Sequence, residues 1–213
     1  MQKITHAGHY KLAYDRIDGK YGRLEPNPQK RIFYGQSSLQ MALDQWAAFL
    51  PQCMEPPRYI LTGGLYVNKS GAHRKGIAID IDGFQFSDNH YLALSAPLNW
   101  KQYLQIEASL RLFFGQVLNY DYNIAHRDHW HCDLLVPPAG NAQSRSQILF
   151  VQRALNVFHD ATLKVDGVLG PLTMDVIAQC GYSFPENWKC FLFSLLTTSR
   201  DIGNIAAHQK KIN

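Results

Sequence analysis

The chain has 213 residues, 46% hydrophobic and 18% charged, with a formal net charge of +4. That composition excludes a disordered chain, and the length suits one medium domain with a small one attached. No run of about 18 apolar residues is present, so no membrane span is expected, and the mild positive charge suits an anionic partner without choosing among a wall polymer, a nucleic acid and a lipid surface.

Residues 1–14 are polar and hold no apolar h-region, so no Sec-type leader is expected. Export would then rest on a removed signal or on another route, such as a phage lysis system or a contact-dependent secretion machine. A first helix is expected near Ser37, with Ser37 and Gln40 at capping-box spacing, Leu39, Leu43, Trp46 and Leu50 on one face, and Pro51 as its stop. Residues 58–67 are rich in β-formers and read as a strand entering a loop at Gly63-Gly64. From 76 to 86 the chain alternates: Ile77, Ile79 and Ile81 point one way, Ala78, Asp80 and Asp82 the other. A helix is expected from Asn99, with Gln102 at capping-box spacing and an apolar stripe of Tyr103, Ile106, Leu110, Phe113 and Val117. Residues 122–125 and 129–136 read as paired strands around a turn at 126–128.

The composition shifts at 137–142, a linker that neither helix nor strand tolerates. Beyond it Ser144 and Gln147 open another helix, lined by Ile148, Val151, Leu155 and Phe158. Asp166-Gly167 is a turn, Pro171 starts a helix that ends near Gly181, and a last helix begins near Asn187. The expected division is 1–138 and 144–213. Cys53, Cys132, Cys180 and Cys190 lack C-x-x-C spacing, which argues against a zinc finger or a thioredoxin-like motif. Cys180 and Cys190 are near enough in sequence for a disulfide outside the cytoplasm, and four buried thiols are the alternative.

Two segments carry chemistry. In His73-Arg74-Lys75-Gly76-Ile77-Ala78-Ile79-Asp80 a loop histidine precedes a strand aspartate by seven positions, and the carboxylate lies off the isoleucine face, toward a cleft. In Asp128-His129-Trp130-His131-Cys132-Asp133 alternation puts His129, His131 and Asp133 on one face. Two imidazoles on one strand face with a carboxylate from elsewhere suit Zn2+, and three protein ligands leave a fourth position for water. Trp130 is expected in the core. Asp82 is expected either to orient a ligand imidazole or to sit in solvent at the strand end, the latter being the simpler reading. His126 is expected either to help the site or to be a solvent-facing turn residue, the latter being the simpler reading. His6, His9, His90, His159 and His208 have no ligand-like neighbours.

These two segments resemble the zinc peptidases that include lysostaphin-type enzymes, D-alanyl-D-alanine peptidases and the hedgehog fold. Residues 71–83 and 126–134 are most similar to the extensin-like C-terminal branch of the D-Ala-D-Ala peptidase group, and the resemblance covers roughly 61–136. It implies an α+β domain whose small antiparallel sheet carries zinc, with flanking helices and a small three-helix domain after it. It implies His73, Asp80 and His131 as the ligands of Zn2+. Many D-Ala-D-Ala peptidases have a glutamate three residues before the last ligand, where this chain has Asp128; lysostaphin-type relatives use the first histidine of H-x-H, here His129. The general base is thus Asp128 or His129. An S-x-Y-R-type segment is missing before the first ligand, and Arg74 or Arg127 is left to bind substrate.

The tail run from Val151 to Asn156, followed by Val165-Asp166-Gly167-Val168-Leu169-Gly170-Pro171-Leu172-Thr173, resembles a peptidoglycan-binding three-helix module. Together the resemblances imply a zinc-dependent hydrolase of peptidoglycan stem peptides, a D,D-endopeptidase or D,D-carboxypeptidase, acting on the wall in the periplasm or outside the cell. The rivals are a non-catalytic, zinc-containing wall-binding protein and a metal-dependent nuclease. The nuclease is the weaker, since no Arg/Lys-rich stripe with interleaved aromatics is present, and no nucleic acid partner is expected. The oligomeric state is open.

Overall fold

The computed structural model describes residues 1–14, 16, 31–68 and 70–197. The strands in chain order are β1 (Gln2–Ile4), β2 (His6–Ala7), β3 (Tyr10–Ala13), β4 (Phe33–Gly35), β5 (Tyr59–Gly64), β6 (Ala78–Gln85), β7 (His90–Leu92), β8 (Gln116–Leu118) and β9 (Trp130–Asp133). The helices are α1 (Ser37–Phe49), α2 (Trp100–Arg111), α3 (Arg145–Phe158), α4 (Pro171–Gln179) and α5 (Trp188–Thr197). The main sheet runs β2-β3-β5-β6-β9-β8, with β7 also paired to β6, and β1 and β4 form a separate ribbon.

The α+β class agrees with the sequence, but the sheet differs from the small antiparallel one expected. It has seven strands, and β3 pairs with β5 in parallel. Parallel neighbours need a long crossover, and α1 lies within that connection. Strands of two to four residues such as β2 and β3 are too short to alternate visibly, so residues 1–14 give no strand signal.

β6 is the central strand, bonded to β5, β7 and β9. Directly opposed residues share a face of the sheet. Ile79 opposes Cys132 and Ile81 opposes Trp130, and all four are fully buried. On that side Trp130 stacks on Tyr103 of α2 at 4.6 Å between ring centres, while Trp46 of α1 donates Nε1–H to Ser109 Oγ of α2 at 3.0 Å. Burying each large apolar side chain here stabilises the fold by about 1.5–3 kcal/mol. The opposite face carries Asp80 and His131, themselves register partners.

Helix starts follow the sequence in part. Asn99 caps α2, its Oδ1 accepting from Gln102 N at 3.2 Å, and Ser144 caps α3. The cap residue of α1 is Gln36, with no side-chain cap bond, so Ser37 is the first helical residue and the buried Leu39, Leu43 and Trp46 hold the helix. α2 ends at Arg111, and Val117 belongs to β8 rather than to a helical stripe. Residues 122–125 are not a strand. Asn123 Oδ1 accepts from Ala125 N at 3.0 Å and opens a short 3-10 turn, Ile124–His126, and β9 pairs instead with β6 and β8.

The linker at 137–142 is a loop, yet the apolar core runs across it. Phe150, Leu155, Phe191 and Leu195 belong to the same cluster as Ile79 and Trp46. A buried polar knot adds to this. Arg111 pairs with Glu107 at 2.7 Å and donates Nη2–H to Val117 O and to Ser146 O and Oγ, while Asn119 donates to both Glu107 oxygens. Such a pair is tolerable in a core only because these bonds satisfy it. Gln105 also donates to Leu195 O at 3.0 Å.

Within the tail, Gln152 organises the turn run. Its Oε1 accepts from Asp166 N and Gly167 N, and its Nε2 donates to Val168 O and Thr173 Oγ1. Gly167 has φ +75°, a conformation natural to glycine, and Pro171 opens α4 as expected. All four cysteines are free thiols, but only Cys132 is buried as expected; Cys53 and Cys180 are half-buried and Cys190 is exposed. The expected tail residues from 198 on, His208 included, lie outside the described residues. Among the described residues no helix is long and apolar enough to cross a membrane.

Candidate metal centre

A tight turn brings His73 back to the sheet. Gly76, at φ +69°, lets the chain reverse, with Gly76 N bonded to His73 O at 2.9 Å and Ile77 N to the carbonyl of the buried Ala72 at 3.2 Å. The strand then starts, and its alternation presents Asp80 opposite His131. Thr62 of β5 donates to the Asp80 carbonyl at 2.6 Å and fixes this part of β6.

Three atoms converge. His73 Nε2 is 3.1 Å from Asp80 Oδ1 and 3.1 Å from His131 Nδ1, and His131 Nδ1 is 2.9 Å from Asp80 Oδ1. The far nitrogen of each ring is occupied: His73 Nδ1 meets Leu65 O, and His131 Nε2 meets Asp133 Oδ2 at 3.2 Å. A carbonyl and a carboxylate accept only, so each far nitrogen carries a proton, and a ring in its neutral form turns a lone pair toward the centre. Two lone pairs and a carboxylate oxygen at about 3 Å repel one another unless a cation or a proton lies among them. With no cation there, a proton on a facing nitrogen meets the same need. Burial works against the charged form of His131, but the hydrogen bonds to Asp133 and Asp80 outweigh it and raise the ring to about 9. Asp80 stands well below the carboxylate range, because the His131 and His73 hydrogen bonds overcome its burial. Ligands of a tetrahedral zinc at 2.0–2.1 Å stand about 3.3 Å apart, so the donor set fits zinc with shifts of a few tenths of an ångström.

His129 borders this triangle. Its Nε2 lies 3.5 Å from Asp80 Oδ1, and its Nδ1 is held by Asp128 Oδ1 at 2.6 Å. His126 is half-buried beside it, its ring 5.3 Å from that of His129 and 5.9 Å from that of His131. Burial first, then the neighbouring imidazoles, push His126 down to about 4. His126 thus closes a turn as expected, but it is half-exposed and its ring lies against the cluster.

Asp82 also departs from expectation. It is buried, and it takes a two-pronged pair from Arg16, with Nε to Oδ2 at 2.8 Å and Nη2 to Oδ1 at 2.6 Å. The Arg16 guanidinium lies against Gly63, where a Cβ would push it aside. Trp130 is in the core as expected. Arg74 and Arg127 are exposed; the Arg127 guanidinium sits 5.4 Å over the Tyr120 ring. Among the described residues neither bonds to the cluster.

The fold brings together five of the residues assigned to the site from the sequence, His73, Asp80, Asp128, His129 and His131, and adds three contributors that were not. Arg16 comes from a remote segment with no local pattern. Asp133 shares the face of His131, a signal that alternation does give, but its bond to the ring needs coordinates. The Leu65 carbonyl has no side-chain signature at all.

Residues 63–142 match the family described as the extensin-like protein C-terminus. The matched span contains His73, Asp80, Asp128, His129 and His131 and stops before α3. No curated protein and no solved structure matches the chain.

Proposed function

We propose that the protein is a zinc-dependent peptidase that hydrolyses stem-peptide cross-links of peptidoglycan, with the tail as its wall-binding part. The observation that carries this reading is the triangle of His73 Nε2, Asp80 Oδ1 and His131 Nδ1, with both imidazoles locked from behind. The resemblance of the two motifs to D-Ala-D-Ala and lysostaphin-type peptidases supplies the reaction class, and the match at 63–142 supports the extensin-like branch. Peptidoglycan as the polymer rests on the resemblance of the tail run.

A zinc ion in this site would polarise the scissile carbonyl and acidify the attacking water. His73, Asp80 and His131 would hold it. Leu65 O and Asp133 keep the two rings in the tautomer that presents a lone pair, as is usual for histidine ligands. His129 Nε2 takes the proton of the attacking water and passes it to the leaving amine nitrogen. Asp128 keeps the proton of His129 on Nδ1 and stabilises the imidazolium while it lasts. This gives His129 the base role and Asp128 the positioning role.

The test is mass spectrometry of muropeptides released from purified sacculi, with and without a chelator, alongside elemental analysis. New monomeric muropeptides that vanish with chelator and return with zinc are expected. A folded, zinc-loaded protein that binds sacculi and releases nothing would replace the enzyme with the non-catalytic reading.

A further inference from the structure

The face that carries the metal triangle continues into a groove. Across the sheet Asp80, His131 and Leu118 are successive register partners, and so are Ala78, Asp133 and Gln116. Neighbouring strands are about 4.8 Å apart, so Leu118 is one strand beyond His131. Leu118 and Gln116 line a cleft of about 480 Å3 whose other walls are the linker and the first turn of α3, Ser144 to Gln147 among them. Ligand sites commonly have this size.

The near wall belongs to the metal centre as well. Tyr122 lines the groove, and its ring meets His126 edge-on at 5.7 Å. Arg145 is the single charged residue of the lining. It reaches back over the Tyr122 ring at 5.2 Å and donates Nη1–H to Tyr122 O at 2.9 Å. That hydrogen bond and the ring contact hold the guanidinium over Tyr122, within the groove whose floor Leu118 shares with His131.

We propose that this groove is the subsite for the extended peptide on one side of the scissile bond, and that Arg145 reads a carboxylate on that peptide a few residues from the cut. The proposal rests on the peptidase reading for its ligand class. An extended peptide advances about 3.3–3.6 Å per residue, so two or three residues cross β8 from His131 into the cleft. Arg145 lies beyond residue 142, outside the matched span. The tail then contributes a wall and a cation to the substrate site, and specificity is set partly by the helical half.

The probe is a soluble monomeric muropeptide, which has no cross-link left to cut, in two forms: carboxylates free and carboxylates amidated. Equilibrium titration of the full chain should show that the free form binds more tightly. Arg145→Ala should weaken the free form about tenfold or more, as for loss of a charge-assisted hydrogen bond, and leave the amidated form nearly unchanged. Arg145→Lys should recover part of the difference. Zinc content and the thermal midpoint should match wild type in both variants. Equal binding of the two forms by wild type, or equal weakening of both forms by Arg145→Ala, overturns the proposal; the second result would mean that Arg145 only braces Tyr122. Turnover on cross-linked dimers is scored separately. Discriminating binding without turnover would refute the peptidase and leave the groove standing.

Discussion

His129 Nδ1 lies 2.6 Å from Asp128 Oδ1, so two adjacent residues form a unit in which the carboxylate fixes the tautomer of the ring. Residues that act as a unit are not additive. His129→Ala should lower turnover on sacculi about a hundredfold or more while zinc is retained. Asp128→Ala should lower it less, and the double variant should be no worse than His129→Ala alone. If Asp128→Ala is dead and His129→Ala is active, the two roles are reversed.

The ligand triangle predicts about one zinc per chain. His73→Ala and His131→Ala should each lose it on elemental analysis. Asp133→Ala keeps all three ligand atoms but frees the far side of His131. It should bind zinc about 10–100-fold more weakly, read by competition with a coloured chelator. Unchanged affinity in Asp133→Ala would leave Asp133 a structural residue only.

The buried Arg111–Glu107 pair predicts a large stability effect far from the site. Arg111→Ala leaves the Glu107 carboxylate in the core without its counter-charge, with only Asn119 donating to it, and should cost about 3–5 kcal/mol in urea unfolding. A cost below about 1 kcal/mol would mean that the carboxyl takes up a proton or water at once.

Alkaline pH should weaken the fold. Burial pushes the Cys53 thiol up to about 12, against about 8.5 for a free thiol. The folded state then holds this proton where the unfolded chain loses it. The contribution is complete below about pH 8.5 and is lost as pH rises toward 12. The urea midpoint should fall across that window, and Cys53→Ala should flatten the slope. An identical slope in the variant would remove Cys53 as its source.

What the sequence discloses follows from how local each signal is. Asp80, His129 and His131 are legible because strand alternation puts them on one face whatever their partners are. The Gly170-Pro171 helix start is legible because its chemistry lies within two residues. The strand expected at 122–125 fails because Tyr122 and Ile124 look like β-formers while Asn123 caps a turn, and a cap is decided by one bond. The parallel β3–β5 pair and the Arg16–Asp82 contact join residues more than 40 positions apart, and no window along the chain contains both ends.

The polar knot at Arg111 has a bearing on reach. A wall-binding part on a loose leash lets a cutting centre sweep a sphere, and its gain depends on leash length. Here Ser146, on the helix that opens the tail, is bonded to the same guanidinium that is anchored in α2. Under the proposed function the gap between grip and blade is set like the jaws of a caliper. Strand spacing in the wall then decides which cross-links come within range. Lengthening the linker at 137–142 should not widen that choice, whereas cutting the chain there should unfold both halves, as loss of cooperative melting by calorimetry would show.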